Sequence, residues 1–478
     1  MRDVDVERQI ADKLKMYPIS DEEHRLYVLD QIINDRGVLV DSELAEQAVK
    51  LNSIQTAVAV EQAYMITGLE NPNSVTQLKQ WLKEKGVEIE SLSKKSVKSL
   101  ADETDGDVSE MLKLRLLMAK TSVKKYEAVI RSVCSDNRVH GMMRFCGANR
   151  TGRWSGNILQ PQNLPQNHLP DLTLARDIVK DGDFEMLDMM FGNVPNVLSE
   201  LIRTVLIPKP NHRFIVADFS AIEARVLAWI AGEQWRIDTF KNGGDIYCAS
   251  ASKMFKVPVE KHGVNGELRQ KGKISELACG YGGSVGALKN MGAVEMGVQE
   301  NELQGLINDW RNANPHIVRF WYEVGNAAMK AIKEKTTVPL GKLVFAYERG
   351  ILFIRLPSGR RLSYIKPRIG TNRFGGDSIT YMGINSAKKW DRLETFGGKL
   401  TENIVQGTAR DLLANALINA ANAGYDTVFH VHDEIICEVP NGYGSVDELC
   451  KLMCIKPEWA DGLPLNADGF ECEYYKKE

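Results

Sequence analysis

Three separate blocks of this sequence carry residue types that do chemistry. Asp218 ends the apolar run FIVAD, and the pair Asp433 and Glu434 follows a second apolar run, VFHVH. Short, continuously apolar runs of this kind predict buried strands. The third block, RQKGKISELACGYGG, predicts a helix. Four-residue steps along it drift by only about 40° each, so they form one stripe. The stripe consists of Arg269, Lys273, Leu277 and Tyr281.

The chemistry that these blocks share is phosphoryl transfer. Carboxylates on stiff strands hold divalent metals, so Asp218 and Asp433 would bridge two ions with Glu434 beside them. One ion would activate an attacking hydroxyl, and the other would neutralise a leaving pyrophosphate. Arg269 and Lys273 would hold triphosphate oxygens. The set therefore predicts transfer from a nucleoside triphosphate onto a growing nucleic-acid strand.

Each block on its own has a simpler interpretation. An aspartate at a strand end is most often a cap or turn residue, and a basic helical stripe is most often a solvated face. His430 and His432 lie on one face of the second run, which leaves a zinc site as an alternative. The sequence offers no further His or Cys at close ligand spacing. Only the three blocks together support phosphoryl transfer.

Composition bounds the class of protein without deciding its function. The 478 residues are 44% hydrophobic and 26% charged, which is typical of a globular protein with two to four domains. The net charge of −3 means that any nucleic-acid surface must be a local cluster of basic residues. The eight cysteines show no C-x-x-C pair and predict reduced thiols. Without a signal-like start or a long apolar run, the expected location is the cytoplasm.

The pattern along the chain predicts several kinds of element. Residues 1–130 have the apolar spacing of helices, with helix starts at residues 41–42 and 71–74. Basic stretches at residues 94–98 and 120–125 are either solvated helix faces or contacts to a phosphate backbone. Residues 139–165 read as strand and turn, and LVFAYERGILFIRLPSGRRLSYIKPRI predicts hairpins. The segment LTENIVQGTARDLLANALINAANAG predicts a long helix that ends at Gly424.

Five motifs together resemble those of the family A DNA polymerases, the bacterial DNA polymerase I family, and above all its bacteriophage-type members. Two match the palm motifs: DFSAIEAR from Asp218 to Arg225, and HDE from His432. The spacing R-x3-K-x7-YG from Arg269 matches the fingers helix. Two further segments, TGRWS with QNLP and QGTA with DL, match primer-template and palm-helix segments. The likeness covers nearly the whole chain.

The resemblance implies an α+β fold with the right-hand architecture of polymerases: an antiparallel-sheet palm, a helical thumb and mostly helical fingers. The expected parts are residues 1–20 as a remnant of the end of an exonuclease domain, 21–130 as a thumb-like region, 131–234 as the first part of the palm, 235–395 as the fingers and 396–478 as the second part of the palm.

The resemblance also implies an activity and a role for each motif residue. The activity is template-directed addition of dNTPs to a primer 3′-hydroxyl by two-metal nucleotidyl transfer, with release of pyrophosphate. Asp218, Asp433 and Glu434 are the expected catalytic residues. The expected ligands of two Mg²⁺ ions, for which Mn²⁺ is a substitute, are Asp218, the Phe219 carbonyl and Asp433.

Two further groups of residues are implied to bind substrates. The expected nucleotide-binding residues are Glu223, Arg269, Lys273, Leu277 and Tyr281. The expected DNA-binding residues are Thr151, Arg153, Ser155, Gln162, Asn163, Arg225, Gln406 and His432. Glu223 beneath the sugar would disfavour ribose, which argues against a single-subunit RNA polymerase. A catalytically dead DNA-binding subunit would give no reason for the carboxylates and cations to be present together.

Several positions depart from the family pattern. Leu277 stands where Phe or Tyr is usual, and Ala278 stands where Gly is common. Ala221 replaces the usual Gln, and Asn167 lies where a basic residue is frequent. These departures leave the shape of the nucleotide pocket and some template contacts open.

The beginning of the chain carries a further expectation. Asp3-Val4 resembles the end of the last proofreading motif of phage members, without the rest of such a domain. We therefore expect no 3′–5′ exonuclease in this chain. The expected partners are primer-template DNA, dNTPs and separate exonuclease or accessory proteins, with no membrane. The expected state is a monomer in the cytoplasm, which is the host cytoplasm if the gene belongs to a phage.

Overall fold

Helices and antiparallel sheets alternate along the chain in this computed structural model, which describes residues 2–118, 123–372 and 375–477. The helices are α1 (Arg2–Leu14), α2 (Asp21–Arg36), α3 (Ser42–Thr67), α4 (Val75–Glu84), α5 (Lys94–Glu103), α6 (Gly106–Met118), α7 (Lys124–Ser132), α8 (Leu172–Asp181), α9 (Phe184–Phe191), α10 (Val194–Leu201), α11 (Ile222–Ala231), α12 (Gln234–Lys241), α13 (Ile246–Phe255), α14 (Leu268–Cys279), α15 (Val285–Asn290), α16 (Leu303–Ala313), α17 (Pro315–Glu334), α18 (Gly397–Asn422) and α19 (Val446–Met453).

The strands pair in antiparallel sheets. They are β1 (Val38–Val40), β2 (Arg138–Val139), β3 (Met143–Arg144), β4 (Ser155–Gly156), β5 (Leu206–Ile207), β6 (His212–Phe219), β7 (Thr337–Leu340), β8 (Leu343–Glu348), β9 (Ile351–Arg355), β10 (Arg361–Thr371), β11 (Asp377–Ile384), β12 (Trp390–Thr395), β13 (Thr427–Val431), β14 (Glu434–Pro440) and β15 (Ala467–Cys472).

One sheet, with the strand order β13-β14-β6-β15, carries both apolar runs of the sequence. It is buried on both faces. Phe214 and Val216 of β6 enter a core shared with α3, α7, α8 and α10, whereas Ile215 and Ala217 enter a core shared with α11, α14 and α18. Burial on both faces explains why FIVAD is continuously apolar and does not alternate. The predicted strand is confirmed.

Residues 21–118 are mostly helical, as their apolar spacing predicts. The predicted helix starts are confirmed, since Asp41 accepts from the Leu44 N–H and Ser74 accepts from the Gln77 N–H. The 26-residue helix α3 connects two cores. Its first half packs in the core beside β6 and β13, and Ala59 of its second half packs with α4, α5 and α6.

A second sheet, with the order β12-β11-β10-β9-β8-β7, follows α17. It contains the predicted hairpins and packs on α17 and on the first turns of α18. Within residues 235–395, helices therefore occupy the part up to Glu334, and strands occupy most of the rest. The sheet is tied to α18 because Arg360 donates from Nε to Asp411 at 2.6 Å. The domain boundaries themselves stay predictions.

The remaining expectations concern the chain as a whole. All eight cysteines have free thiols, as predicted. Within the described residues, helices long and apolar enough to cross a bilayer are absent. Asp3 lies on α1, whose residues are all exposed. The predicted end of the long helix at Gly424 agrees with the structure to within two residues, since α18 ends at Asn422.

Candidate active site

The register of the palm sheet brings three carboxylates together. Asp218 on β6 lies directly opposite Glu434 on β14. Asp433 belongs to the tight turn between β13 and β14, and its carbonyl accepts from the Phe219 N–H at 3.1 Å. His432 makes this turn with a left-handed φ of 53°. The first and last predicted blocks therefore meet at one end of a buried sheet.

The carboxylates have the electrostatics of a cation site. Burial and the neighbouring charge of Asp218 raise the pKa of Asp433 to about 7. Burial also raises the pKa of Glu434, whose residue is 2% exposed. Among the described residues, Asp218 Oδ1 and Glu434 Oε1 are buried without a hydrogen-bond partner. Buried acceptors of this kind are rare and suit a positive ligand.

Two charged residues that the sequence analysis missed complete this cluster. The Lys477 ammonium lies 2.5 Å from Glu434 Oε2 and 3.3 Å from Asp218 Oδ2. Asp468 on β15 lies opposite Asp218 on the other side of β6 and accepts from the Ser220 hydroxyl. Neither residue belongs to a recognisable motif, because only the pairing of distant strands brings them here.

The donor set fits divalent cations that are shared with a substrate. In the described parts of the chain, no group of three or more His, Cys, Asp or Glu side chains is placed to hold a metal ion by itself. Mg²⁺ is commonly held by one or two carboxylates together with phosphate and water oxygens, and Asp218 and Asp433 offer such an open site. The zinc alternative gains no support. His430 is 1% exposed, and its ring packs against the Trp154 ring with the two ring centroids 4.8 Å apart.

The helix α14 presents Lys273 and Leu277 of the predicted stripe on its open face, whereas Tyr281 lies two residues past the end of the helix. Its opposite face is buried through residues such as Ile274 and Ala278. Lys273 is exposed, and Leu277 is 50% exposed. Arg269 already has an anionic partner, because its Nη2 lies 2.8 Å from Asp245 Oδ2.

A buried ion pair fixes the rotation of α14. The Arg236 guanidinium donates to both oxygens of Glu276, at 2.8 and 2.5 Å, and Trp310 donates to the same carboxylate at 2.8 Å. The side chains of Arg236 and Glu276 are 1% and 5% exposed. The sequence pattern does not predict this pair, because both residues resemble surface charges. The pair turns Leu277, the next residue, toward the open side.

Glu223 connects the helix to the segment predicted to touch DNA. One of its oxygens accepts from Arg153 Nη2 at 2.7 Å, and the other accepts from the Tyr281 hydroxyl at 2.7 Å. Burial and the Glu223 charge raise the pKa of Tyr281. Three residues that lie far apart in the sequence therefore form one junction.

One cavity of about 560 Å³ extends from α14 to Asp433 and includes Glu223, five residues after Asp218. Its lining includes residues from α11, α14 and α18, together with Asp433 from the turn between β13 and β14. Those with an expected role are Glu223, Leu277, Tyr281, Gln406 and Asp433. Arg269 lies beside it, on a neighbouring cavity of about 700 Å³ that also contains Asp245 and Asp468.

Most of the expected DNA-binding residues lie near a third cavity of about 180 Å³. Its lining includes Arg153, Ser155, Gln162 and His432. Thr151 is buried and accepts from the Arg153 N–H at 3.3 Å. The Asn163 carbonyl accepts from Lys125. His432 of this group precedes Asp433 in the turn between β13 and β14, so the cavity lies beside the carboxylates.

Arg225 lies apart from that group. It is 6% exposed, and its guanidinium donates to the carbonyls of Ser220 and Pro464. These bonds support the chain after β6, so a contact between Arg225 and DNA stays a prediction. The basic residues at 94, 95 and 98 are exposed on α5, whereas residues 120–122 of the second basic stretch lie outside the described residues.

Comparison with known proteins agrees with this geometry. The sequence profile of DNA polymerase family A matches residues 42–456. The chain belongs to DNA polymerase family A. The sequence-based predictions of this family and of its α+β fold are confirmed.

This family A polymerase resembles both phage and bacterial proteins. The DNA polymerase of Bacillus phage SP02 is 52% identical over 481 residues, a match that covers 100% of this chain and 74% of the phage protein. The thermostable DNA polymerase I of Thermus aquaticus is 27% identical over 54% of this chain, which spans 27% of that protein. The polymerase domain of Pol1 from M. smegmatis, solved in complex with DNA primer-template and dNTP, has a TM-score of 0.64 at 20% identity. That match covers 93% of this chain and 68% of the solved one, and it shows the fold.

Proposed function

We propose that this family A polymerase extends the 3′-hydroxyl of a DNA primer on a DNA template, using dNTPs and releasing pyrophosphate. The observation that supports this activity best is the cavity that Glu223, Leu277, Tyr281, Gln406 and Asp433 share. It combines an acidic end, an apolar wall and an aromatic side chain, as a deoxynucleoside triphosphate requires.

The residues around the cavity have distinct tasks in this proposal. Asp218 and Asp433 would hold two Mg²⁺ or Mn²⁺ ions with help from the Phe219 carbonyl, and Glu434 would assist. The bound ions would activate the primer hydroxyl and offset the charge of the departing pyrophosphate.

The nucleotide itself would be held from the fingers side. Arg269 and Lys273 would bind the triphosphate, and Leu277 would pack against the incoming nucleotide. Tyr281 would lie near the template base, while Glu223 would keep a ribose 2′-hydroxyl out of the pocket.

The duplex would contact the side of the palm that Arg153 and Ser155 line together with Gln162 and His432. Contacts there would be independent of sequence if they reach acceptors that all base pairs share in the minor groove. We further propose that the protein acts as a monomer in the cytoplasm, with a separate exonuclease or accessory proteins as partners.

A primed-template extension assay tests the activity. A labelled primer on a longer DNA template with Mg²⁺ should be extended with dNTPs and much less with rNTPs, and pure protein should leave the primer untrimmed. Equal use of rNTPs would favour an RNA polymerase. Template binding without extension would favour a non-catalytic DNA-binding subunit.

A further inference from the structure

The residues after β15 return to the palm sheet and are fixed there by hydrogen bonds. The Lys477 N–H donates to Asn167 Oδ1 at 2.8 Å, and the Asn167 N–H donates to the Lys477 carbonyl at 2.9 Å. Asn167 is 3% exposed, and its Nδ2 donates to the Glu200 carbonyl at 2.5 Å. Tyr475, two residues earlier, is fully buried. The backbone of Lys477 is therefore held in place by the fold, unlike that of a mobile surface residue.

The ammonium of Lys477 lies between two carboxylates that face each other across a strand pair. Its distances are 2.5 Å to Glu434 Oε2 and 3.3 Å to Asp218 Oδ2. Like charges directly opposite in an antiparallel pair repel, so Asp218 and Glu434 need a positive neighbour. Lys477 supplies that charge from the protein itself.

We propose that Lys477 is an internal counter-cation that competes with divalent metal for Asp218. This inference deepens the proposed function and rests on it. The ammonium uses Asp218 Oδ2, an oxygen of a proposed metal ligand, whereas Oδ1 has no partner among the described residues. A divalent ion carries twice the charge of the ammonium and displaces it from Asp218. Glu434, which is buried, keeps the ammonium close by, so the metal requirement of the enzyme includes this exchange.

The simpler alternative is that Lys477 only stabilises buried Glu434. That role would stabilise the fold equally with and without metal, and it would leave metal affinity unchanged. Competition instead predicts that metal and lysine substitute for one another, so the two roles are separable by experiment.

The test compares Lys477→Met with the wild-type full chain, without DNA or nucleotide. Mn²⁺ binding is followed by the electron paramagnetic resonance of the free ion, and thermal unfolding is measured with and without Mn²⁺. We expect Lys477→Met to bind Mn²⁺ about tenfold more tightly, since a unit charge within 4 Å opposes a cation strongly. We also expect it to melt at a lower temperature than the wild type without metal, and this difference should shrink at saturating Mn²⁺, where only the pairing of Lys477 with Glu434 is still lost.

Two variants serve as controls. Lys476→Met removes the neighbouring ammonium, which lies 6.0 Å from the Phe470 ring, and should leave Mn²⁺ affinity unchanged. Asn167→Ala removes the side-chain oxygen that accepts from the Lys477 N–H, and it should shift Mn²⁺ affinity in the same direction as Lys477→Met. This variant keeps the test decisive if Lys477→Met does not fold. Unchanged Mn²⁺ affinity, or a stability difference that does not shrink at saturating Mn²⁺, would overturn the proposal. Because the readout is binding and not synthesis, failure of primer extension is a separate result.

Discussion

The two halves of the active site are held in place by different kinds of interaction. The carboxylates stand on β6 and β14, whose paired backbones run continuously from Asp218 opposite Glu434 to His212 opposite Pro440. The nucleotide side depends on side-chain pairs, such as Arg269 with Asp245. A strand register does not shift without opening the sheet, whereas side-chain pairs exchange readily. We therefore expect the metal half to be preformed and the nucleotide half to rearrange when a triphosphate binds.

The largest expected effect is on the preformed half. Asp218→Ala should lower the rate of single-turnover dNTP incorporation at least about 1000-fold, because metal ligation contributes several kcal/mol to the transition state. The matched control is Asp468→Asn, which changes the carboxylate on the other side of the same ladder. We expect it to cost less than about tenfold. Equal losses in both variants would contradict the assignment of Asp218.

The second prediction concerns the anchor of α14. Arg236→Met leaves Glu276 buried without its partner and should lower the free energy of unfolding by about 3–5 kcal/mol. Chemical denaturation measures this change. The control is Glu323→Gln, which breaks an exposed pair with Arg319 and should cost less than about 1 kcal/mol. A loss in Arg236→Met no larger than in the control would show that α14 is anchored by packing alone.

The third prediction is a pH dependence of the metal-free protein. The raised pKa of Asp433 means that the folded state holds its proton more tightly than the unfolded state. The resulting stability is fully present below about pH 4 and is lost as the pH rises through about 7. The free energy of unfolding of wild type should therefore fall over this window relative to Asp433→Asn. Parallel pH profiles of the two proteins would contradict this prediction.

The fourth prediction concerns the junction at Glu223. Glu223→Ala removes the partner of both Arg153 and Tyr281, and the ratio of kcat/KM for dNTPs over rNTPs should fall about 10- to 100-fold. Tyr281→Phe keeps the ring, loses only the hydroxyl bond and should reduce this ratio less. Unchanged selectivity in Glu223→Ala would remove Glu223 from sugar discrimination.

The smallest expected effect is a change in KM when the ion pair between Arg269 and Asp245 is weakened. Asp245→Asn keeps the cap that accepts from the N–H groups of Tyr247 and Cys248, but it weakens the hold on Arg269. Since a partly exposed ion pair contributes at most about 1 kcal/mol, the KM for dNTPs should fall up to about fivefold at unchanged kcat. A raised KM would mean that Asp245 positions Arg269 and does not compete for it.

The same contrast explains how much of the site could be predicted. Asp218 and Asp433 could be predicted because each follows a local apolar run. The stripe of α14 could be predicted from helical spacing. The fold followed from these elements together with the family motifs. The roles of Lys477 and Asp468 could not be predicted from the sequence, because their positions depend on the pairing of β15 with β6, about 250 residues away. Arg236 and Glu276 were missed because burial of a charge pair leaves no local signal.

The helix α3 gives the chain a mechanical property. Its 26 residues form an unbroken rod of about 39 Å, with Leu44 clamped beside the palm strands and Ala63 embedded among the thumb-like helices. A rod of this length converts a tilt of about 5° at one end into a displacement of about 3 Å at the other. We therefore expect a displacement of α4, α5 and α6 to be transmitted along α3 to the core that packs against β6.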